Sequence, residues 1–334
     1  MAVTMKDLAK YAGVGVATVS SYFNGGRLRP ANREKIERAI RELHFEVNEV
    51  ARGLRVDHTK TVGVIIPELD NQFCAQIITS MEDELRQYGY ATIVCDCRTR
   101  PEREREAVDF LRRKRVDGII NMPVDGTGGH LKVFTDTERP VVVIDRELPE
   151  IECDQILVDN QSAVRKAIGL LLENGHKDIG LLGGPENVAT ARERLLGYRG
   201  ALEEAGLPFR PELTEHTDYT ISGSREKMEA FYARVPDMTA LLALNYETTA
   251  GALMYLNEKG IRIPEQLSFI GFDNRDFAQA ARPRLTIVEQ PTSEIGLQAA
   301  RRMLARLSRK EEAFRIIKLQ ARLLMGGSVR ALNE

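Results

Sequence analysis

The chain has 334 residues, 43% of them hydrophobic and 29% charged, with a formal net charge of −2. That length accommodates a small head plus a two-lobed body, or two ordinary domains. The N-terminal MAVTMKDLAK has no apolar core of a leader, and no stretch approaches about 18 uninterrupted apolar residues, so neither secretion nor membrane spanning is expected, and a cytoplasmic protein with no membrane partner is.

The first elements are short helices. Thr4 to Gly13 reads as a capped helix in which Thr4 caps the amides of Lys6 and Asp7, Leu8, Ala9 and Ala12 form the apolar face, and Gly13 is the stop. Gly15 to Asn24 is a second helix, and Ala12-Gly13-Val14-Gly15 is so tight a link that the two must cross over Ala9, Val14 and Val19. Pro30 opens a third helix to His44, whose Ile36, Ala39, Ile40 and Leu43 close the core. Helix, tight turn, helix, helix is the order of a helix-turn-helix DNA-binding head. Residues 1–60 carry 11 Lys or Arg against 7 Asp or Glu, while the remainder carries 36 against 42. A basic head on an acidic body directs that part to phosphate and disfavours the rival reading, a helical protein-interaction module.

After residue 60 strands and helices alternate. TVGVIIP, YATIVCDC, VDGIINMP and PVVVIDR are separated by helical patterns at about 72–88 and 102–114. A second series follows: QILVDN, a helix at about 161–174, DIGLLGGP, a helix at about 190–205, a strand and an aromatic near Asp218 and Tyr219, a helix to Ala233, ALLALN, a helix to Lys259, and LSFIGFD. This is an α/β chain with two parallel sheets. Open parallel sheets bind ligands at the carboxyl ends of their strands, where Asp70, Asp145, Asn160, Asn245 and Asp273 fall. Cys74, Cys95, Cys97 and Cys153 are read as free thiols. Cys95 and Cys97 share a strand face, but packing is favoured over metal binding because no second ligand pair or neighbouring His accompanies them.

The strings MKDLAKYAGVGVATVSSYFN, NEVARGLR, TVGVIIPELDNQF, GHKDIGLLGGP, TARERLLGYRGAL, IGFDN and LTIVEQP, in that order and spacing, resemble the lactose/galactose repressor family of bacterial transcription factors. The resemblance implies a helix-turn-helix domain over 1–46, a hinge helix and linker over 47–60, and an effector-binding and dimerisation domain over 61–334. The body then has the two-lobed periplasmic-binding-protein-like fold, with an N-lobe of about 61–159 and 291–320 and a C-lobe of about 160–290 and 321–334. It implies an allosteric regulator, a repressor of carbohydrate-metabolism genes, that binds a near-palindromic operator as a homodimer. No leucine repeat follows GGSVRALNE, so a dimer is expected. No cofactor or metal is expected.

By position in the motif, Val16 and Ala17 open the recognition helix, Thr18 and Ser20 meet phosphate or base, and Thr4, Ser21 and Asn24 join the DNA-facing set. Ser21 stands where many members have Arg and cannot reproduce a bidentate guanine contact, so an operator unlike the family's commonest one is expected. Gly15 replaces a phosphate-contacting Ser. The segment from Asn48 to Arg55 resembles the hinge helix, capped by Asn48, with Ala51 beside the wedge Leu54.

In the body, the resemblance assigns effector contacts to Asn71, Phe73, Asp145, Thr190, Arg194, Tyr219, Asn245, Asp273 and Gln290. Phe73 and Tyr219 suit an apolar ring face, Asp273 and Arg194 vicinal hydroxyls. Arg146 either lines the cleft and favours an acidic or phosphorylated sugar, or is an exposed or lobe-bridging residue. Tyr246 stands where the family commonly has Asp. The sign of the effector's action stays open, since the ligand either separates the hinges or brings them together. Two other classes compete. A transport-type sugar-binding protein requires secretion, and an enzyme lacks its motifs: there is no G-x-G-x-x-G after the first strand, no phosphate loop, and His176 in NGHKDIG sits in a helix-to-strand turn as a structural hydrogen-bonding residue.

Overall fold

The computed structural model describes residues 3–23, 26–45, 58–124, 126–309 and 313–332. The chain divides into two compact units, residues 1–59 and 60–334. Asn24 and the hinge residues Asn48, Ala51, Leu54 and Arg55 lie outside the described residues.

In the first unit, α1 spans Met5–Ala12, α2 Val16–Phe23 and α3 Pro30–Glu42. Thr4 caps α1 through a reciprocal box. Its hydroxyl accepts from the Asp7 amide at 3.3 Å, and its own amide donates to the Asp7 carboxylate at 2.9 Å. The expected contact to the Lys6 amide is not made; the box geometry places the hydroxyl over the third amide of the helix. Gly13 stops α1 at φ 60°, and the Val14 amide returns to the Ala9 carbonyl at 3.1 Å, which swings the chain directly into α2. Leu8, Ala9, Val19, Ile36 and Ala39 form the buried centre, and Phe45, just past the third helix, joins them. The third helix is shorter than the pattern suggests, because His44 adopts φ 47°.

The second unit holds two six-stranded sheets. The N-lobe sheet is built from β1 Thr61–Ile66, β2 Ala91–Asp96, β3 Gly118–Asn121, β4 Val141–Ile144, β5 Asp154–Val158 and β11 Ile316–Leu319, in the order β11-β5-β4-β3-β1-β2. Every pairing in it is parallel. The C-lobe sheet uses β6 Ile179–Gly183, β7 Thr214–His216, β8 Ala240–Ala243, β9 Ser268–Phe272, β10 Thr286–Glu289 and β12 Arg322–Leu324, in the order β12-β10-β9-β8-β6-β7, with β12 antiparallel to β10. Strands buried on both faces read as continuous apolar runs, which is why VVVI and ALLA carry no alternation.

The helices are α4 Gln72–Gln87, α5 Pro101–Arg113, α6 Lys132–Thr135, α7 Asn160–Glu173, α8 Ala189–Glu204, α9 Ile221–Arg234, α10 Tyr246–Glu258, α11 Arg275–Ala280 and α12 Thr292–Leu307. Helix α12 lies against α4, and a Cβ at Gly296 would fall 2.3 Å from the Ile77 carbonyl, so only glycine permits that approach. The strand expected near Asp218 and Tyr219 ends at His216, and Tyr219 lies in the loop beyond at φ 62°. His176 is fully buried in its turn, with Nε2 donating to the Arg330 carbonyl and Nδ1 facing the Thr239 hydroxyl, each at 3.0 Å. Burial lowers its pKa and keeps it neutral, as a structural residue requires. All four cysteines are unbridged. Cys97, just past β2, donates to the Ile66 carbonyl at 2.8 Å.

Candidate functional site

In the head, α2 turns Val19 into the core and leaves Val16 and Ala17 exposed, Val16 to 43%. Thr18 and Ser20 are partly exposed on the same helix. Ser21 is partly exposed near the end of α2. Its side chain sits against Gly26, where an added Cβ would fall 2.1 Å from the hydroxyl, and its carbonyl accepts from the Gly26 amide at 2.8 Å. Thr4 is exposed, with its hydroxyl donating to the Asp7 carboxylate at 2.6 Å.

In the body, loops at the carboxyl ends of both sheets enclose a cavity of about 150 Å³. The N-lobe supplies Asn71, Phe73, Asp145 and Arg146, and the C-lobe supplies Thr190, Arg194, Tyr219, Asn245, Asp273 and Gln290. All ten expected effector residues therefore meet at one place. Asp70 does not join them: it is exposed in the loop before α4. Asn160 serves the site indirectly, as the first residue of α7 accepting from Arg194 Nε at 2.8 Å.

Each side chain is fixed by local structure. Asn71 caps α4, its carbonyl oxygen accepting from the amides of Phe73 at 2.9 Å and Cys74 at 3.3 Å. That leaves its NH₂ to donate across to Glu247 of the C-lobe at 2.9 Å. Asn245 caps α10 in the same manner, accepting from the Thr248 amide at 2.8 Å and donating to Glu247 at 2.6 Å. Both amide orientations follow from the backbone donors they accept. Arg194 is 4% exposed; it donates to Asn160 and to the Leu244 carbonyl, and its guanidinium lies 4.2 Å from the centre of the Phe272 ring. Arg146 donates to the Pro123 carbonyl at 2.9 Å and lies 3.6 Å from Asp145. It lines the cleft while bonded within its own lobe. Tyr246 packs edge-on against Phe277 at 5.5 Å.

Asp145, Tyr219 and Asp273 have φ of 67°, 62° and 58°. Left-handed backbone is sparsely populated by non-glycine residues and collects at ligand clamps, held by the surrounding structure. Asp145 and Asp273 directly follow β4 and β9, and Tyr219 lies in the loop beyond β7; all three line the cavity. Gln290 holds Asp273 from below, donating its side-chain NH₂ at 2.8 Å and its amide at 3.2 Å. Burial pushes the Asp273 carboxyl up to about 6 despite Arg194 and Gln290. Burial, with Glu68 and Asp273 nearby, pushes Glu247 up to about 7.

Against known proteins, residues 4–48 match the model described as bacterial regulatory proteins, lacI family, and residues 59–326 match periplasmic binding proteins and sugar binding domain of LacI family. The chain belongs to the LacI family of bacterial regulatory proteins. It is 33% identical over 334 residues to the HTH-type transcriptional repressor PurR of Actinobacillus pleuropneumoniae serotype 3 (strain JL03), covering 99% of each chain. It is 31% identical over 337 residues to the repressor CytR of Escherichia coli (strain K12), covering 99% of this chain and 97% of that one. Among solved structures, the lac repressor dimer bound to operator and the anti-inducer ONPF matches at TM-score 0.88 and 26% identity, covering 99% and 100% of the two chains. The CelR-cellobiose complex matches at TM-score 0.75 and 28% identity, covering 97% and 99%. LacI-family repressors are not enzymes, in keeping with the missing catalytic motifs. Among the described residues no helix is long and apolar enough to cross a membrane.

This LacI-family cleft includes residues that the sequence pattern does not single out. Glu68 follows β1 and accepts from the Thr99 hydroxyl at 3.1 Å. Glu247 sits in the first turn of α10, where an acidic residue normally reads as helix-dipole compensation. The Gly183-Gly184 pair has its reason here too, because a Cβ on Gly184 would fall 1.9 Å from the Tyr219 ring. Gly184→Ala should therefore displace Tyr219 and weaken effector binding about tenfold or more, with a stability loss of about 1–3 kcal/mol from overpacking. Calorimetric titration with the effector checks it, and unchanged affinity would remove Tyr219 from the site.

Proposed function

We propose that this protein is a cytoplasmic, homodimeric repressor of carbohydrate-metabolism genes, whose operator affinity is set by a compact ring ligand bound between the two lobes of its body. The observation that carries this reading is the convergence of ten side chains from two sheets on one cavity of about 150 Å³. Clefts for drug-sized ligands run to roughly 300–1,000 Å³, so this one suits a single ring. The exposed start of α2 supports the DNA-binding half of the reading. Its relatives agree with it, since PurR and CytR are repressors, CelR was solved with cellobiose and the lac repressor was solved on its operator.

The two sites are coupled through the lobes. A ligand that changes their relation alters the hinges, with a coupling free energy of typically about 1–3 kcal/mol. Thr4, Val16, Ala17, Thr18, Ser20 and Ser21, with the undescribed Asn24, make the proposed DNA-facing set, and Asn48, Ala51, Leu54 and Arg55 the proposed hinge helix that pairs with its dimer mate. The proposed boundaries are 1–46 for the head, 47–60 for the hinge and 61–334 for the body. The test is retention from a randomised duplex pool at near-physiological salt, with and without a mixed extract of sugars and sugar derivatives. A recovered near-palindrome with a flexible central step supports the dimeric reading, and the extract's effect gives the sign of the response; no enrichment in either arm overturns it.

One substitution isolates the hinge. If Leu54 unstacks the central base step, Leu54→Ala should weaken binding to the recovered operator about tenfold or more while leaving affinity for the cleft ligand unchanged. Equal operator affinity in fluorescence anisotropy would sink that role.

A further inference from the structure

The cleft carries more acidic than basic side chains. Its lining holds five carboxylates, Glu68, Asp145, Asp218, Glu247 and Asp273, against two arginines, Arg146 and Arg194. Both arginines are already engaged: Arg146 with the Pro123 carbonyl and beside Asp145, Arg194 with Asn160, the Leu244 carbonyl and the Phe272 ring. An anion entering here would meet Glu68, Glu247 and Asp273, and Arg146 Nε, a buried donor without a hydrogen-bond partner, already lies 3.6 Å from the Asp145 carboxylate.

Three buried polar atoms of the lining lack a hydrogen-bond partner: Arg146 Nε, the Tyr219 hydroxyl and the Gln290 carbonyl oxygen. Gln290 is 4% exposed, and its carbonyl oxygen is a buried acceptor with no partner. Its orientation is set, because its NH₂ donates to Asp273 at 2.8 Å. A buried acceptor without a donor is costly, so a ligand N–H or O–H is the fitting occupant. Glu247 also stays short of its capacity: a carboxylate has about four lone-pair positions, and the Asn71 and Asn245 side chains and its own backbone amide reach it. The cavity thus presents a cluster of carboxylate and amide acceptors, with Arg146 Nε and the Tyr219 hydroxyl as unpaired donors, around a space that holds one ring.

We propose that the effector of this chain is an amino sugar, a single-ring polyol whose ammonium group is held by the carboxylates of Glu247 and Asp273 with Gln290 beside them. This deepens the regulator reading and rests on it for the word effector. A bound cation draws both carboxylates into their charged forms and relieves the repulsion among Glu68, Glu247 and Asp273, so ligand charge and site charge reinforce each other. Phe73 and Tyr219 supply the apolar walls for the ring face.

The test uses the full chain at pH about 7, with thermal melting and calorimetric titration. The probes are glucosamine, galactosamine and mannosamine, each beside its neutral parent hexose, its N-acetyl form and its 6-phosphate. The expected result is that at least one amine raises Tm by several degrees, while its neutral parent and N-acetyl form bind about tenfold or more weakly and the phosphate not at all. Glu247→Gln should reduce the ratio of amine to neutral-parent affinity by about tenfold, and Asp273→Asn provides the same readout if the first variant is poorly folded. That ratio compares two ligands on one protein, so a general loss of stability does not mimic it. No response to any of the amines overturns the proposal. A larger response to a neutral hexose or a phosphate also overturns it, and leaves the regulator reading intact if that ligand changes operator binding. An amine that binds a chain retaining no duplex upholds the ammonium site and sinks the regulator reading instead.

Discussion

Arg194→Ala is expected to destabilise the body by about 3 kcal/mol and to abolish its response to effector. The guanidinium is 4% exposed and joins three elements: Asn160 at the start of α7, the Leu244 carbonyl at the end of β8, and the Phe272 ring at the end of β9. Truncation strips two buried acceptors of their donor and opens a void over an aromatic face, and each of those losses is typically about 1–3 kcal/mol. At roughly 2–4 °C per kcal/mol for a large domain, the melting midpoint should fall by several degrees. Arg194→Lys separates charge from geometry, because an ammonium keeps the charge but cannot reach Asn160 and Leu244 as a planar fork. Lysine should therefore recover little of the stability. Scanning calorimetry of both variants, with and without ligand, checks the prediction, and a wild-type midpoint with an intact ligand response would show that Arg194 is dispensable.

The same residue shows what the sequence makes legible. Arg194 is assigned from its place in TARERLLG, four residues from Thr190, and the helix α8 brings both to the cavity. The strand-end polar residues are readable for the same reason: once the parallel order is recognised, the carboxyl ends of the strands are fixed. Asp70 fails because the chain runs one turn further before α4 begins, leaving it exposed. Glu247 is hidden by its innocuous setting in a first helical turn. Only the lobe opposite, which brings Asn71 to it, distinguishes a ligand-facing carboxylate from a dipole counterion. The left-handed backbone of Asp145, Tyr219 and Asp273 has no sequence signal either, since none is glycine.

The carboxylates that make the site chemically specific should also make the empty body pH-sensitive. Glu247 is raised from 4.5 to about 7 and Asp273 from 3.8 to about 6, in both cases chiefly by burial. The groups around them are Glu68 beyond β1, Asp145 and Arg146 beyond β4, Arg194 on α8 and Tyr219 beyond β7. Between the unfolded and folded values the native state binds more protons than the unfolded chain, so this contribution is fully present below pH about 4 and is lost as pH rises to about 7. At about 1.4 kcal/mol per pKa unit, and discounted because both side chains are partly solvated, the loss is on the order of 3 kcal/mol. His176 works in the opposite sense: its lowered pKa gives stability present above the unfolded value of 6.5 and lost as pH falls through the folded one. Comparison with a Glu247→Gln, Asp273→Asn double variant removes that and every other shared term. Urea unfolding should show the two proteins closest in stability at pH about 4.5, with the double variant gaining on the parent by about 3 kcal/mol as pH rises to about 7.5. A gap that does not change with pH would mean that water reaches both carboxylates freely, and a ligand would then gain nothing by neutralising them.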